Sequence, residues 1–208
     1  MKGSIPTKVA RLVSNLVIHP TYIPRTFRHN VVNGVSPLDL ETPWFCYAAN
    51  DYLDKWLKPH MTAFEYGSGG STLFLSKRVQ SVHSVEDNPK WYELVSKRVQ
   101  EKSIANVNLE FVRFDFKNPI GFEHSDYLNA LNEEKDVIFI DGSEEWNLVR
   151  PLCFRHAENF VRPGGIIVVD DSWRYPELHK QNKAKYFKIF KSVGPCRPGV
   201  TSTDIFFY

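Results

Sequence analysis

Cysteine is scarce in this chain. Cys46, Cys153 and Cys196 lie far apart, their number is odd, and no C-x-x-C pair occurs. That pattern excludes a disulfide framework and fits buried, reduced thiols in a cytoplasmic protein. No apolar stretch approaches the ~20 residues that cross a bilayer, so no transmembrane segment is expected. The opening MKGSIPTKVARLVSNLVIHP resembles a signal peptide only superficially, because Arg11, Ser14 and Asn15 interrupt its apolar part. Net charge is also small: 26 basic residues stand against 24 acidic ones, giving +2. Bulk charge therefore gives no reason to expect a DNA partner. Internal repeats and low-complexity tracts are lacking. What remains, 208 residues with 42% hydrophobic content, is enough for one domain with a real core.

The order of elements then carries the reading. Val9, Leu12, Val13, Leu16 and Val17 recur at helical spacing and predict an amphipathic helix over 8–18. Its stripe would pack on the body of the protein or, less typically, lie on a membrane surface. Residues 19–42, with Pro20, Pro24 and Pro37, read as an irregular arm. A helix is expected over 44–57, stopped by Pro59. Strand and helix signals then alternate. Strands are expected over 62–66, 81–86, 107–112, 136–140 and 166–169, with a closing strand in TSTDIFFY. Helices are expected over 71–78, 89–102, 125–132 and 146–160, and a basic, polar helix between Arg174 and Arg197. The 89–102 helix has Asp87 or Asn88 as its cap and Pro89 at its first position. Alternation of this kind predicts an α/β fold: a Rossmann-like, doubly wound parallel sheet with helices on both faces. Residues 1–58 form a helical and irregular arm, a lid or acceptor side, and 59–208 the ligand-binding domain.

In such a sheet the ligand lies beyond the carboxyl ends of the strands. Every one of the first five predicted strands has an acid there: Glu65, Glu86, Asp115, Asp141, and the pair Asp170-Asp171. Between the first strand and its helix runs EYGSGGST. Gly67 and Gly69 let backbone approach a ligand closely, and the helix that follows turns free N–H groups toward it. Glu86 stands nineteen positions after Gly67, the spacing of a carboxylate that accepts from ribose hydroxyls. The dinucleotide fingerprint fails, because Thr72 stands where its third glycine belongs, and the loop has no phosphate-binding lysine. Glu65 would repel a pyrophosphate and favour a cationic ligand without phosphate. S-adenosylmethionine has that character.

The pieces FEYGSGGST, SVED, the Asp115 loop, DVIFIDG, RPGGIIVVDD and TSTDIFFY resemble the class I S-adenosylmethionine-dependent methyltransferases. The resemblance covers about residues 60–208. It implies a seven-stranded sheet with an antiparallel last strand. It also implies cofactor contacts from Glu65, Gly67, Ser68, Gly69, Ser71, Thr72, Glu86 on the ribose, Asp115 near adenine, and Asp141. Asp141, Asp170 and Asp171 are similar to the metal site of the magnesium-dependent O-methyltransferases, with the D-D pair of the sugar enzymes. The resemblance thus implies a divalent cation such as magnesium held by these three, with Asp141 and Asp170 catalytic.

The sugar enzymes tend to carry a general base two positions after the first metal aspartate. Here that position is Ser143, so Glu144 is the nearest substitute, with His156 and His179 as alternatives. The D-P-P-Y tetrapeptide of amino methyltransferases is missing; the chain reads DGSE instead. Trp44, Tyr47, Trp173 and Tyr175 either line an acceptor pocket or pack. The acceptor expected is a small molecule, a sugar or an anion, and the arm is a place for an oligomer contact. A silent cofactor-binding module and an RNA or protein methyltransferase remain as other readings.

Overall fold

The computed structural model describes residues 4–30, 35–116, 120–197 and 199–208. Seven strands form one sheet in the order β3-β2-β1-β4-β5-β7-β6. In chain order they are β1 (Thr62–Tyr66), β2 (Ser81–Glu86), β3 (Val107–Phe111), β4 (Lys135–Ile140), β5 (Val161–Asp170), β6 (Tyr186–Val193) and β7 (Val200–Phe207). The first five pair in parallel, and β7 runs antiparallel to both β5 and β6. The expected seven-stranded sheet with an antiparallel last strand is therefore present.

Alternation along the strands builds two cores. Phe64, Tyr66, Ile138, Ile140, Ile167 and Val169 point to one face, where α7 (Asp126–Asn129) and α8 (Val149–Ala157) cover them. Ala63, Val137, Phe139, Ile166 and Val168 point to the other. There they meet α4 (Tyr47–Trp56) and α5 (Gly70–Ser76) through Ala49, Leu53, Phe74 and Leu75. The central strands are apolar on both sides for this reason. The helix α6 (Pro89–Glu101) begins as its sequence dictates: the Asn88 side chain accepts from the Trp91 N–H at 3.1 Å, with Pro89 in the first turn.

Three expectations fail. The basic segment before residue 197 is no helix. Two short 3-10 turns, Ser172–Arg174 and Pro176–His179, lead into β6. This strand is at the sheet's edge and pairs with β7 alone. Its Lys188 and Lys191 are the charged decoration that edge strands carry against unwanted pairing. The helix expected over 146–160 begins later, at Val149. Trp146 and Asn147 adopt left-handed backbone (φ 56° and 52°), because the Trp146 indole turns back onto Phe114, Phe116 and Phe122. The supposedly irregular arm holds two helices, α2 (Tyr22–Asn30) and α3 (Pro37–Leu40), after α1 (Ile5–Ile18). A Ser36–Asp39 capping box starts α3, where each side chain meets the other's backbone N–H.

Candidate active site

The tips of β1, β2, β4 and β5 surround a cleft of about 750 Å³. Its walls include the loop 67–71, Glu86 to Asn88, Trp91, Asp141 to Glu144, Asp170 and Asp171. Trp44 of the arm, Arg174 and Arg197 stand at the same opening. Asp115 is exposed after β3 and is not among the lining residues. Glu65 and Thr72 sit behind the loop, fully buried.

Local sequence explains the loop's shape. Gly67 has φ +86°, and a Cβ there would meet Gly142 Cα at 2.8 Å and Asp141 O at 2.9 Å. The two glycines thus let the β1 and β4 loops touch. Glu86 braces the loop from β2. Its Oε2 accepts from the Ser68 N–H at 2.9 Å and hydroxyl at 2.7 Å, and its Oε1 accepts from the Asn88 N–H at 3.0 Å. Asp87 beside it is raised to about 6, by burial first and by Glu86 second.

Glu65 lies under the loop. Its Oε1 accepts from the Ser84 hydroxyl at 2.5 Å and from the Thr72 hydroxyl. Among the described residues its Oε2 is buried without a hydrogen-bond partner. Burial pushes the carboxyl up to about 7, against the hydroxyl groups that hold it down. These features fit S-adenosylmethionine: an acid-lined cleft, a glycine loop without lysine, and a carboxylate on β2 at the ribose spacing.

The aspartates after β4 and β5 do come together, but two guanidinium groups hold them. Arg150 on α8 is buried and forms an ion pair with Asp141 Oδ1 at 3.1 Å. It also donates to the carbonyls of Gly142 (2.9 Å) and Asp170 (2.8 Å), clamping two strand tips. Arg197, between β6 and β7, reaches Asp171 Oδ2 at 3.1 Å and Asp170 Oδ2 at 3.6 Å. The Oδ1 of Asp171 also accepts from the Thr201 hydroxyl and from the Trp173 indole N–H at 3.2 Å. Thr203 donates to Asp170 Oδ1 at 2.7 Å. Burial drives the Asp141 and Asp170 carboxyls toward the protonated form. Asp171 goes the other way: although burial opposes it, Arg197 and its two hydrogen-bond donors hold it low.

The magnesium site expected from the sequence at Asp141, Asp170 and Asp171 is not pre-arranged in this structure. Among the described residues no group of three acidic, cysteine or histidine side chains is disposed to hold a metal. Both Asp171 oxygens are engaged, and Arg150 and Arg197 already offset much of the negative charge that a cation would meet. Glu144 is held between Arg174 at 3.1 Å and Arg150 at 3.6 Å. His156 bonds the Leu131 carbonyl and His179 pairs with Asp204, both away from the cleft walls. Of the four aromatics, Trp44 lines the cleft, Tyr47 and Tyr175 are buried, and Trp173 serves Asp171. Sequence reasoning missed Arg150, Arg197, Asp87 and Trp91. Asp87 and Trp91 were findable from their place just after the β2 tip. Arg197 was not, since 26 residues separate it from its partner.

The methyltransferase domain family matches residues 64–172, about half the chain and all of the cleft's glycine loop and acidic tips. The chain belongs to the methyltransferase domain family. The expectation of a class I S-adenosylmethionine-dependent methyltransferase is thereby met at the level of family and fold. A curated relative, from Sulfolobus acidocaldarius, is a probable cobalt-precorrin-6B C(15)-methyltransferase (decarboxylating). It is 33% identical over 89 residues, 43% of this chain, and the match spans 39% of the relative's length. Among solved structures, a Klebsiella pneumoniae protein assigned as an O-methyltransferase superposes with a TM-score of 0.61. It is 16% identical and covers 97% of this chain and 98% of its own. Cofactor-bound Rv0187 from MTB has a TM-score of 0.59 at 19% identity, covering 100% of this chain and 98% of its own. At these identities the structures speak for the fold.

Proposed function

We propose that this domain transfers a methyl group from S-adenosylmethionine to a hydroxyl oxygen of a small molecule such as a sugar. We further propose that it does so without a divalent cation. The observation that carries the reading is one cleft shared by the glycine loop, Glu86 and Asp141.

S-adenosylmethionine brings a methyl group on a positively charged sulfur. The acceptor oxygen forms the new C–O bond as the S–C bond breaks, and the hydroxyl proton must leave. Glu86 accepts three of the ~4 hydrogen bonds a carboxylate can take, from Ser68 twice and Asn88 once, and Oε1 keeps one site for a ribose hydroxyl. Asp87 lines the same end and is a better-placed acid there than the exposed Asp115. Gly67, Ser68, Gly69 and Ser71 cradle the amino-acid end, and Glu65 and Thr72 support them from below. Asp141 is the base: it faces the cleft, and burial raises its proton affinity toward the range a base needs. Glu144 is a poorer base because two arginines engage it. The Asp171 carboxylate raises the proton affinity of Asp141 further, and Asp170 lies beside the pair. Trp44, Arg174 and Arg197 form the acceptor rim, polar with one broad indole, a surface suited to a polyhydroxylated ligand. The arm thus supplies part of the acceptor side, and the three unpaired thiols suit a cytoplasmic protein.

A second reading has one specific support: the curated relative is named as a carbon methyltransferase. Labelled methyl from S-adenosylmethionine, offered with pools of sugars, phenols and tetrapyrroles, separates the two. Label on sugar or phenol oxygens supports the proposal. Label confined to tetrapyrrole carbon replaces it, and label on nothing favours a silent binding module.

A further inference from the structure

The helix α1 is docked on the protein by a mixed face, two polar residues and two leucines. Arg11, Leu12, Asn15 and Leu16 are half-buried, and the Asn15 side chain accepts from the Val193 N–H at 3.1 Å. No residue of α1 is fully buried. The apolar positions at i, i+4 spacing face away: Ile5, Val9, Val13 and Val17 are 79%, 51%, 54% and 74% exposed. The expectation that this stripe packs on the body is therefore met only by Leu12 and Leu16, at its edge. In α2, Ile23 and Phe27 repeat the pattern at 49% and 65% exposure. Large apolar side chains left exposed at helical spacing on two successive helices are unusual on a protein surface.

Charge says what covers them. Five of the 26 basic residues, and none of the 24 acidic ones, fall within residues 1–38; the remaining 170 residues hold 21 basic against 24 acidic. The near-neutral chain thus carries a first 38 residues of one sign, basic, ahead of a mildly acidic remainder. A second copy of this chain would set that arm against itself in a two-fold contact, like charge on like. An anionic bilayer surface meets both features: apolar side chains enter the headgroup boundary while Lys8 and Arg28 stay at the phosphates. No described helix is long and apolar enough to cross a membrane, so the mode is one of lying on the surface.

We propose that α1 and α2 form an interfacial anchor that seats the protein on anionic lipid. The arm is tied to the cleft as well as to the sheet. The Asn30 side chain takes the Arg197 N–H at 2.6 Å and donates to the Gly194 carbonyl at 3.2 Å, and Arg197 is a cleft residue.

The test uses the full chain and extruded vesicles of phosphatidylcholine, alone or mixed with phosphatidylglycerol, in a flotation assay. Mixed vesicles should bind at least about tenfold more protein than neutral ones, and raised salt should reduce binding. The double variant Val9→Glu/Val13→Glu should lose binding by about tenfold or more while keeping its melting temperature, since both side chains are already exposed. Lys8→Glu/Arg28→Glu should lose the preference for phosphatidylglycerol. Absence of vesicle binding at low salt overturns the anchor, as does binding indifferent to the Val9 and Val13 changes. A concentration-dependent dimer that the valine changes dissociate, without vesicle binding, would assign the stripe to a second copy instead.

Discussion

A single carboxyl, Glu65, illustrates how much the buried floor of the cleft matters. Its folded-state affinity for a proton is raised from 4.5 to about 7. The folded protein therefore holds more protons than the unfolded chain across that window, and stability falls as pH rises through it. Glu65→Gln keeps the acceptor that Thr72 and Ser84 use and removes the charge. Its unfolding free energy should match the wild type at pH ~4 and exceed it at pH ~8, by up to ~3 kcal/mol before the cost of an unpaired amide, read from denaturant melts at each pH. A gain that does not grow with pH would refute this account. Gly67 makes a second residue-level case. Gly67→Ala meets both a left-handed φ and the Gly142 backbone, whereas Gly164→Ala meets only the φ, with no atom within 4 Å. Denaturant melts should show ~1–2 kcal/mol lost for Gly164→Ala and ~2–4 for Gly67→Ala. Glu86→Ala should weaken S-adenosylmethionine binding by ~1.5–3 kcal/mol per hydrogen bond lost, read by titration calorimetry.

Between elements, the deciding contacts are those of the arginines. Arg150 joins α8 to the tips of β4 and β5 by ion pairs with Asp141 and Glu144 and by several carbonyl bonds. Arg150→Met would strand Asp141 and the Gly142 and Asp170 carbonyls, at a cost of ~3–5 kcal/mol in chemical denaturation. Arg197 does the corresponding work from the β6–β7 loop. Because these groups balance the aspartates, excess chelator should leave cofactor binding and methyl transfer unchanged. Loss of transfer in chelator, restored by magnesium, would bring back the cation-site reading of the three aspartates.

For the whole molecule, two sheet faces bury the strands and leave three thiols in different places. Cys46 and Cys153 are buried in the two cores, and Cys196 is partly accessible with its thiol raised by burial. A thiol reagent should therefore titrate one slow group in the native protein and three after denaturation. Fast reaction of two or three native thiols would contradict this packing. The charge division between arm and body also belongs to this scale, since no single residue or helix reveals it.

The amino-acid sequence alone determined the sheet's centre and the acid-lined edge. The ranges of β1 and β2 coincide with their sequence expectation: Pro59 and Gly67 bound β1, and β2 stops just before the Asn88-Pro89 helix start. The acids at the strand tips were legible for the same reason: they follow directly on the strands. Tertiary structure alone decided three things. β6 is a strand because β7 offers it an edge, although its lysines read as a polar helix. Trp146 breaks its helix because an aromatic cluster holds its ring. The aspartates face guanidinium groups from α8 and from a distant loop, and local sequence does not record a partner that arrives through folding.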